Sequence, residues 1–217
     1  MTRALRLLLV GASGEVGRAV LSRALADRRA AEVVALPRRP LPAAPRLKNI
    51  VVDFDRLPER AEWWAVDAVV CTLGTTLRAA GSREAFVAVD RDLPLRIARL
   101  ARAAGATRFG LNSSLGADAR SGNFYLRTKG EAEEAIRQLG YPGYVILRPS
   151  LIDADRAESR PGGRLALTFA RSLAPLIPRR WRAVTPDSIA RALLDGVLAV
   201  SPTLRVVESG ELHAFGD

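Results

Sequence analysis

The sequence predicts an α/β fold: one domain built on a doubly wound parallel sheet, with helices on both faces. Three observations predict it. Short apolar runs alternate with helical patterns of ten or more residues along the whole chain, and a glycine-rich turn joins the first run to the first helix. No repeat, low-complexity tract or linker divides the 217 residues, a length that suits one domain burying roughly 70% of its unfolded surface. Runs that are apolar without alternation are strands buried on both faces, and parallel strands need crossover helices to connect them.

The elements follow in order. Residues 5–10, "LRLLLV", read as the first strand. With Arg3 and Arg6 they mimic a secretory leader, but Leu7 to Val10 gives only four apolar residues before Gly11, short of the roughly 7–15 a leader needs. A helix follows over 16–29. Further strands are expected at 32–36, 50–54, 68–72, 109–113, 144–147 and 204–207, with helices at 83–104, 124–139 and 188–200. Thr185 caps the last helix, and Pro186 suits its first position, where a missing N–H costs nothing. "RRPLPAAPR", 38–46, is a loop. "ADRAESRPGG", 154–163, is a second one, long enough to reach over a ligand. Together with the apolar stretch that ends in Arg179, Arg180, Trp181 and Arg182, it forms a small substrate-side region from about 151 to 185. Trp63 and Trp64 read as packing ahead of the fourth strand, and His213 as a surface residue.

Composition excludes several classes. One cysteine, Cys71, leaves no intrachain disulfide framework and suits a reducing compartment; with one histidine, a His/Cys zinc site is not expected. No apolar stretch approaches the ~20 residues that span a bilayer, so the expectation is a cytoplasmic protein without a membrane partner. The net charge of +10 comes from arginines scattered among 23 acids, without stacking aromatics, so no specific nucleic-acid partner is expected.

The first strand runs into "VGASGEVGRAV", which places Gly11, Ser13, Gly14, Glu15, Val16 and Gly17 at a strand-to-helix turn. Gly11 permits the tight turn, Gly14 lets backbone N–H groups approach a pyrophosphate, and Gly17 lets the helix pack close to the sheet. The helix N-terminus then offers free N–H groups and a positive dipole end to phosphates. A dinucleotide is therefore expected. Sites that prefer NAD carry an acid at the end of the second strand; here Glu32 is at the wrong end, and the ligand end carries Arg38 and Arg39. Two guanidinium groups suit a 2′-phosphate, so NADP (NADPH) is the expected cofactor. Asp53 and Phe54 end the third strand, where an adenine would be hydrogen-bonded and covered. "CTLGTT", 71–76, brings Leu73, Gly74 and Thr75 close to the cofactor ribose. Cys71 reads as a core residue.

In "NFYLRTKGEAEEAI", Tyr125 and Lys129 stand four residues apart on a helix, sharing one face. The chain has 33 basic side chains, of which only Lys48 and Lys129 are lysine. A phenol with the ordinary pKa near ~10 is a poor proton donor at neutral pH, and a neighbouring ammonium favours the phenolate and makes transfer efficient. A compact three-donor ammonium serves both a phenol and ribose hydroxyls better than a planar guanidinium. The fifth strand ends "LNSSLGAD", delivering Asn112, Ser113 and Ser114 to the same edge. One serine orients a substrate oxygen; Ser114 aligns better with that role, and Ser113 with support of a turn.

Taken together, the glycine turn, the serine after the fifth strand, Tyr125-x-x-x-Lys129 and "RPSLI", 148–152, resemble the short-chain dehydrogenase/reductase superfamily. "CTLGTT", "FVAVDRDLP", "NSSLGAD", "NFYLRTKGEAE" and "AESRPGG" resemble, within it, the small atypical subgroup typified by Tat-interacting oxidoreductase-like proteins. The resemblance implies a Rossmann-like sheet in the order 3-2-1-4-5-6-7, with a nicotinamide over Tyr125 and Lys129 and Pro149 among the cofactor contacts. Catalysis then falls to Ser114, Tyr125 and Lys129. No sizeable C-terminal substrate domain is present, which speaks against a nucleotide-sugar substrate. The expected function is NADP-dependent hydride transfer to or from a small carbonyl or quinone. The alternatives are an NADPH-binding regulator without turnover, and a nicotinamide-dependent isomerase or epimerase. Dimerisation through the long helices is common in the superfamily, so a homodimer is compatible with this reading.

Overall fold

In the computed structural model, which describes residues 3–153 and 178–216, seven parallel strands make one sheet. They are β1 (Leu5–Val10), β2 (Ala30–Leu36), β3 (Leu47–Asn49), β4 (Ala68–Cys71), β5 (Arg108–Asn112), β6 (Gly143–Arg148) and β7 (Leu204–Glu208). Their order is β3-β2-β1-β4-β5-β6-β7, the order that the resemblance implies. The helices are α1 (Glu15–Ala26), α2 (Leu77–Ala80), α3 (Arg83–Val87), α4 (Leu93–Ala103), α5 (Phe124–Arg137), α6 (Pro186–Val197) and α7 (Ser209–Leu212).

Successive side chains of a strand point to opposite faces, and here both faces are covered. Leu7, Leu9, Val33, Ala35 and Val70 share an apolar cluster with Val20 of α1 and Ile189 and Leu193 of α6. Leu8, Val10, Val34, Leu36 and Val69 join the opposite cluster with Ile97 of α4 and Ile136 of α5. Two-sided burial is why these strands read as unbroken apolar runs. Thr185 caps α6 as expected, its hydroxyl accepting the Ser188 N–H at 3.1 Å, with Pro186 at the first position.

Two elements differ from the sequence reading. The third strand lies at Leu47–Asn49 rather than at 50–54. Beyond it the Ile50 N–H donates to the Ala35 carbonyl and the Val52 N–H to the Pro37 carbonyl. The bond between them in a parallel ladder would need the N–H that Pro37 lacks, so regular pairing stops. The helix expected over 83–104 is continuous but not uniform. Between α3 and α4, Ala88–Asp92 winds as a π-helical turn. Pro94 cannot donate to the Asp90 carbonyl, and its ring crowds that carbonyl, so the backbone opens into a wider turn. The loop expected at 154–163, and the adjoining stretch to 177, lie outside the described residues.

The order of the sheet reverses between β1 and β4. At such a point the connections leave in opposite directions and open a crevice beyond the carboxyl ends of the strands.

Candidate functional site

The crevice is a cleft of about 1030 Å3, walled by the turn after β1 and the loop after β4. Gly11 has φ +91°, and a Cβ there would lie 2.6 Å from Thr72 Oγ1 and 2.8 Å from its carbonyl carbon; only glycine makes this turn beside β4. Gly17 is required for a different reason. Its Cβ would fall 1.9 Å from the Gly11 carbonyl oxygen, so α1 begins in direct contact with the turn. Gly14 is different again. A Cβ there meets only the Gly11 oxygen at 3.4 Å, and its φ of −76° suits any residue. Nothing in the chain demands glycine at 14, which lines the cleft, and no side chain caps α1.

Of the residues expected to hold a dinucleotide, Gly11, Ser13, Gly14, Arg38, Asp53, Phe54, Leu73, Gly74 and Thr75 line this one cleft. Glu15 turns to Arg18, at 2.6 Å, Val16 is buried in the core, and the exposed Arg39 lies outside the lining. Asp53 also caps the turn Phe54–Arg56, accepting the Asp55 N–H at 3.0 Å. Glu32 pairs with Arg6 at 2.5 Å, at the opposite end of β2 from the cleft. The sequence reading missed Arg96 of α4, another part of the lining, which donates to the Leu57 carbonyl at 2.7 Å and so ties the turn bearing Phe54 to α4.

On α5, Tyr125 is half-buried with its ring 5.5 Å from that of Phe86. The other two tyrosines serve the core. Tyr141 donates to the Ala98 carbonyl and Tyr144 to the Glu133 carbonyl, and burial pushes both phenols up. Among the described residues the Tyr125 hydroxyl has no hydrogen-bond partner, which leaves it for a ligand. Lys129 is buried, and its Nζ lies 2.7 Å from Asp90 Oδ1 in the π-turn. The ammonium assigned to the phenol from sequence is thus paired with a carboxylate. It also borders the cleft: a Cβ on Gly74 would lie 3.5 Å from Lys129 Nζ. Cys71 is a core thiol that burial pushes up to about 11.

The two candidate serines separate. Ser113 Oγ donates to Glu133 Oε1 at 2.5 Å, inside a network in which Arg148 reaches Glu133 Oε2 at 2.6 Å and Glu208 at 3.1 Å. More than supporting a turn, Ser113 locks β5 to α5 and β6. Ser114 is half-buried with no such partner among the described residues. Pro149 is buried, and its carbonyl takes the Leu115 N–H at 2.8 Å, holding the Ser114 loop against the end of β6. Neither Ser114, Tyr125, Lys129 nor Pro149 lines the 1030 Å3 cleft itself. Trp64 is buried, as expected; His213 is half-buried, its Nε2 3.0 Å from the Arg179 carbonyl.

A family model described as NAD(P)H-binding matches residues 11–195. The chain belongs to this NAD(P)H-binding family. Rat (Rattus norvegicus) HTATIP2 is 38% identical over 201 residues, covering 89% of this chain and 81% of that protein. The Emericella nidulans protein named "fmp52, mitochondrial" is 38% identical over 173 residues, 76% of this chain and 74% of its own. In fold, the Bordetella bronchiseptica enzyme WbmG in complex with NAD matches with a TM-score of 0.69 and 16% identity, over 99% of this chain and 77% of that one. A short-chain dehydrogenase/reductase superfamily protein from Agrobacterium tumefaciens with bound NAD matches with a TM-score of 0.59 and 20% identity, over 88% and 73%. This NAD(P)H-binding protein is similar in sequence to HTATIP2 and shares its fold with structures that include a short-chain dehydrogenase/reductase superfamily protein. Its residues fit the cofactor: Gly14 is bare where its own chain would admit a side chain, and the helix behind it starts without a side-chain cap. No helix among the described residues is long and apolar enough to cross a membrane.

Proposed function

We propose that the protein is an NADP-dependent oxidoreductase that moves hydride between a nicotinamide and a small carbonyl or quinone. The observation that carries this reading is the placement of the Lys129 ammonium against the cleft wall at Gly74, one helical turn from a phenol that has no partner among the described residues. The backbone of Gly11 to Gly14 and the start of α1 would hold the pyrophosphate, Arg38 a 2′-phosphate, Asp53 and Phe54 the adenine, and Leu73, Gly74 and Thr75 the ribose. Bound NADPH would supply the hydride. Lys129 would hold ribose hydroxyls and stabilise the phenolate. Tyr125 would give its proton to the substrate oxygen as that oxygen gains charge, and Ser114 would donate a hydrogen bond to the same atom. Residues 1–217 act in this reading as one nucleotide-binding unit, with a substrate-side region from about 151 to 185. The single buried thiol suits a reducing compartment, here the cytoplasm; the fungal relatives carry "mitochondrial" in their names.

The test is NADPH oxidation against a panel of small aldehydes, ketones and quinones. Transfer to at least one of them supports the reading; NADPH binding without transfer to any, in protein shown to be folded, overturns it. Cofactor choice is checked separately. Arg38→Ala is expected to weaken NADPH binding by roughly 10- to 100-fold, the worth of a charge-assisted bond, and to leave NADH binding within about twofold. Equal losses for both cofactors would remove Arg38 from the 2′-phosphate site.

A further inference from the structure

Asp90 takes no part in the roles above, yet its carboxylate is completely enclosed beside the cleft. It stands in the π-turn Ala88–Asp92, and two other stretches of chain meet on it. Oδ2 accepts the Thr75 N–H at 2.9 Å, from the loop that walls the cleft after β4. Oδ1 lies 2.7 Å from Lys129 Nζ on α5, four residues after Tyr125. That second contact is an ion pair rather than an aligned hydrogen bond, since Oδ1 has no hydrogen-bond partner.

Gly74 shows where the pair sits. A Cβ there would lie 3.5 Å from both Asp90 Oδ1 and Lys129 Nζ, so both charges lie just behind a cleft residue that has no side chain to cover them. Burying an ammonium is costly unless an anion stands beside it. The chain supplies that anion from the one turn that Pro94 forces out of regular winding.

We propose that Asp90 is a positioning residue of the nucleotide site: its carboxylate holds the Lys129 ammonium behind Gly74, within reach of a dinucleotide in the cleft. The inference rests on the reading that Lys129 meets a bound dinucleotide, but not on any substrate or turnover. A purely structural role makes a different prediction. If Asp90 only staples the Thr75 loop, an amide oxygen does the same work and the charge is dispensable.

The experiment is a double-mutant cycle on NADPH affinity, read by cofactor fluorescence, with Asp90→Asn, Lys129→Met and the double variant. Asparagine keeps an acceptor for Thr75 and removes the charge. Each single variant is expected to bind NADPH about tenfold more weakly. The double variant is expected to match Lys129→Met within about twofold, because the carboxylate has nothing left to hold. Wild-type affinity in Asp90→Asn, wild-type affinity in Lys129→Met, or losses that multiply in the double variant would each overturn the inference. Should Asp90→Asn alone fail to fold, Lys129→Met against the double variant still decides: equal affinities support it, and a further drop of about fivefold or more overturns it. With any carbonyl or quinone that is turned over, Asp90→Asn should lower kcat and leave the substrate KM within about twofold. If none is turned over, the oxidoreductase reading falls while the binding cycle still judges Asp90.

Discussion

Tyr125→Phe is expected to lower kcat by roughly 10²- to 10⁴-fold, the usual worth of a positioned proton donor, while NADPH affinity stays within about twofold. The ring is retained, so its contact with Phe86 at 5.5 Å and the seat of α5 on that aromatic neighbour survive. What disappears is one hydroxyl that no other described residue engages. Neither remaining tyrosine can replace it, because both hydroxyls are bound to core carbonyls. Steady-state kinetics beside a fluorescence titration separates the two quantities. Unchanged turnover would remove Tyr125 from the chemistry. Two proteins that bind NADPH equally and turn over nothing would point to cofactor occupancy as the signal, read by a partner protein.

Gly17→Ala should cause the largest loss of stability. The added Cβ would meet the Gly11 carbonyl oxygen at 1.9 Å, its carbon at 2.7 Å and the Ala12 Cα at 2.9 Å, all of them backbone. No side-chain rotation relieves such a clash, so α1 must lift from the turn. A cost of about 4 kcal/mol or more is expected, lowering Tm by about 10 °C and removing NADPH binding. Gly14→Ala is the matched control from the same turn. Its Cβ finds only one atom, at 3.4 Å, so stability should fall by no more than the ~1 kcal/mol of a poorer helix cap. NADPH affinity should nevertheless drop about tenfold, equivalent to ~1.4 kcal/mol. Thermal denaturation with and without NADPH measures both. Equal Tm values for wild type and Gly17→Ala would contradict the packing argument, and normal NADPH affinity in Gly14→Ala would contradict the cradle.

The sequence disclosed most of the fold because burial on both faces of the sheet leaves apolar runs such as Leu7 to Val10 and Ala68–Cys71 that no surface segment would carry. It concealed β3, since "LKN" at an edge buries little and Pro37 ends its pairing early. Within the site, the glycine turn was readable because Gly11 and Gly17 answer demands of the chain's own packing and Gly14 is left bare at the cleft. Tyr125 and Lys129 stood out through helical spacing and the scarcity of lysine. Asp90 did not. In "VAVDRDLP" it is one of three charges on a helix, which ordinarily means a solvated face, and its partners lie 15 and 39 positions away. Pro94, four residues on, was the available signal: it deprives the Asp90 carbonyl of its helical partner and marks that turn as irregular. Ser113 was misjudged as a turn residue because its partner Glu133 sits inside a helix pattern, where an acid reads as exposed.

The wide turn at Ala88–Asp92 also limits how this chain can change over evolutionary time. Phe86 before it packs against Tyr125, and Ile97 after it is sealed in the core, so both ends are anchored. The wide turn holds one residue more than regular winding, so deleting one position would let the backbone close into ordinary winding with both anchors still near their places. The carboxylate would then lose the turn that sets it against Thr75 and Lys129. Insertions and deletions should accordingly be purged from this segment, while exchanges of its outward side chains pass with little effect.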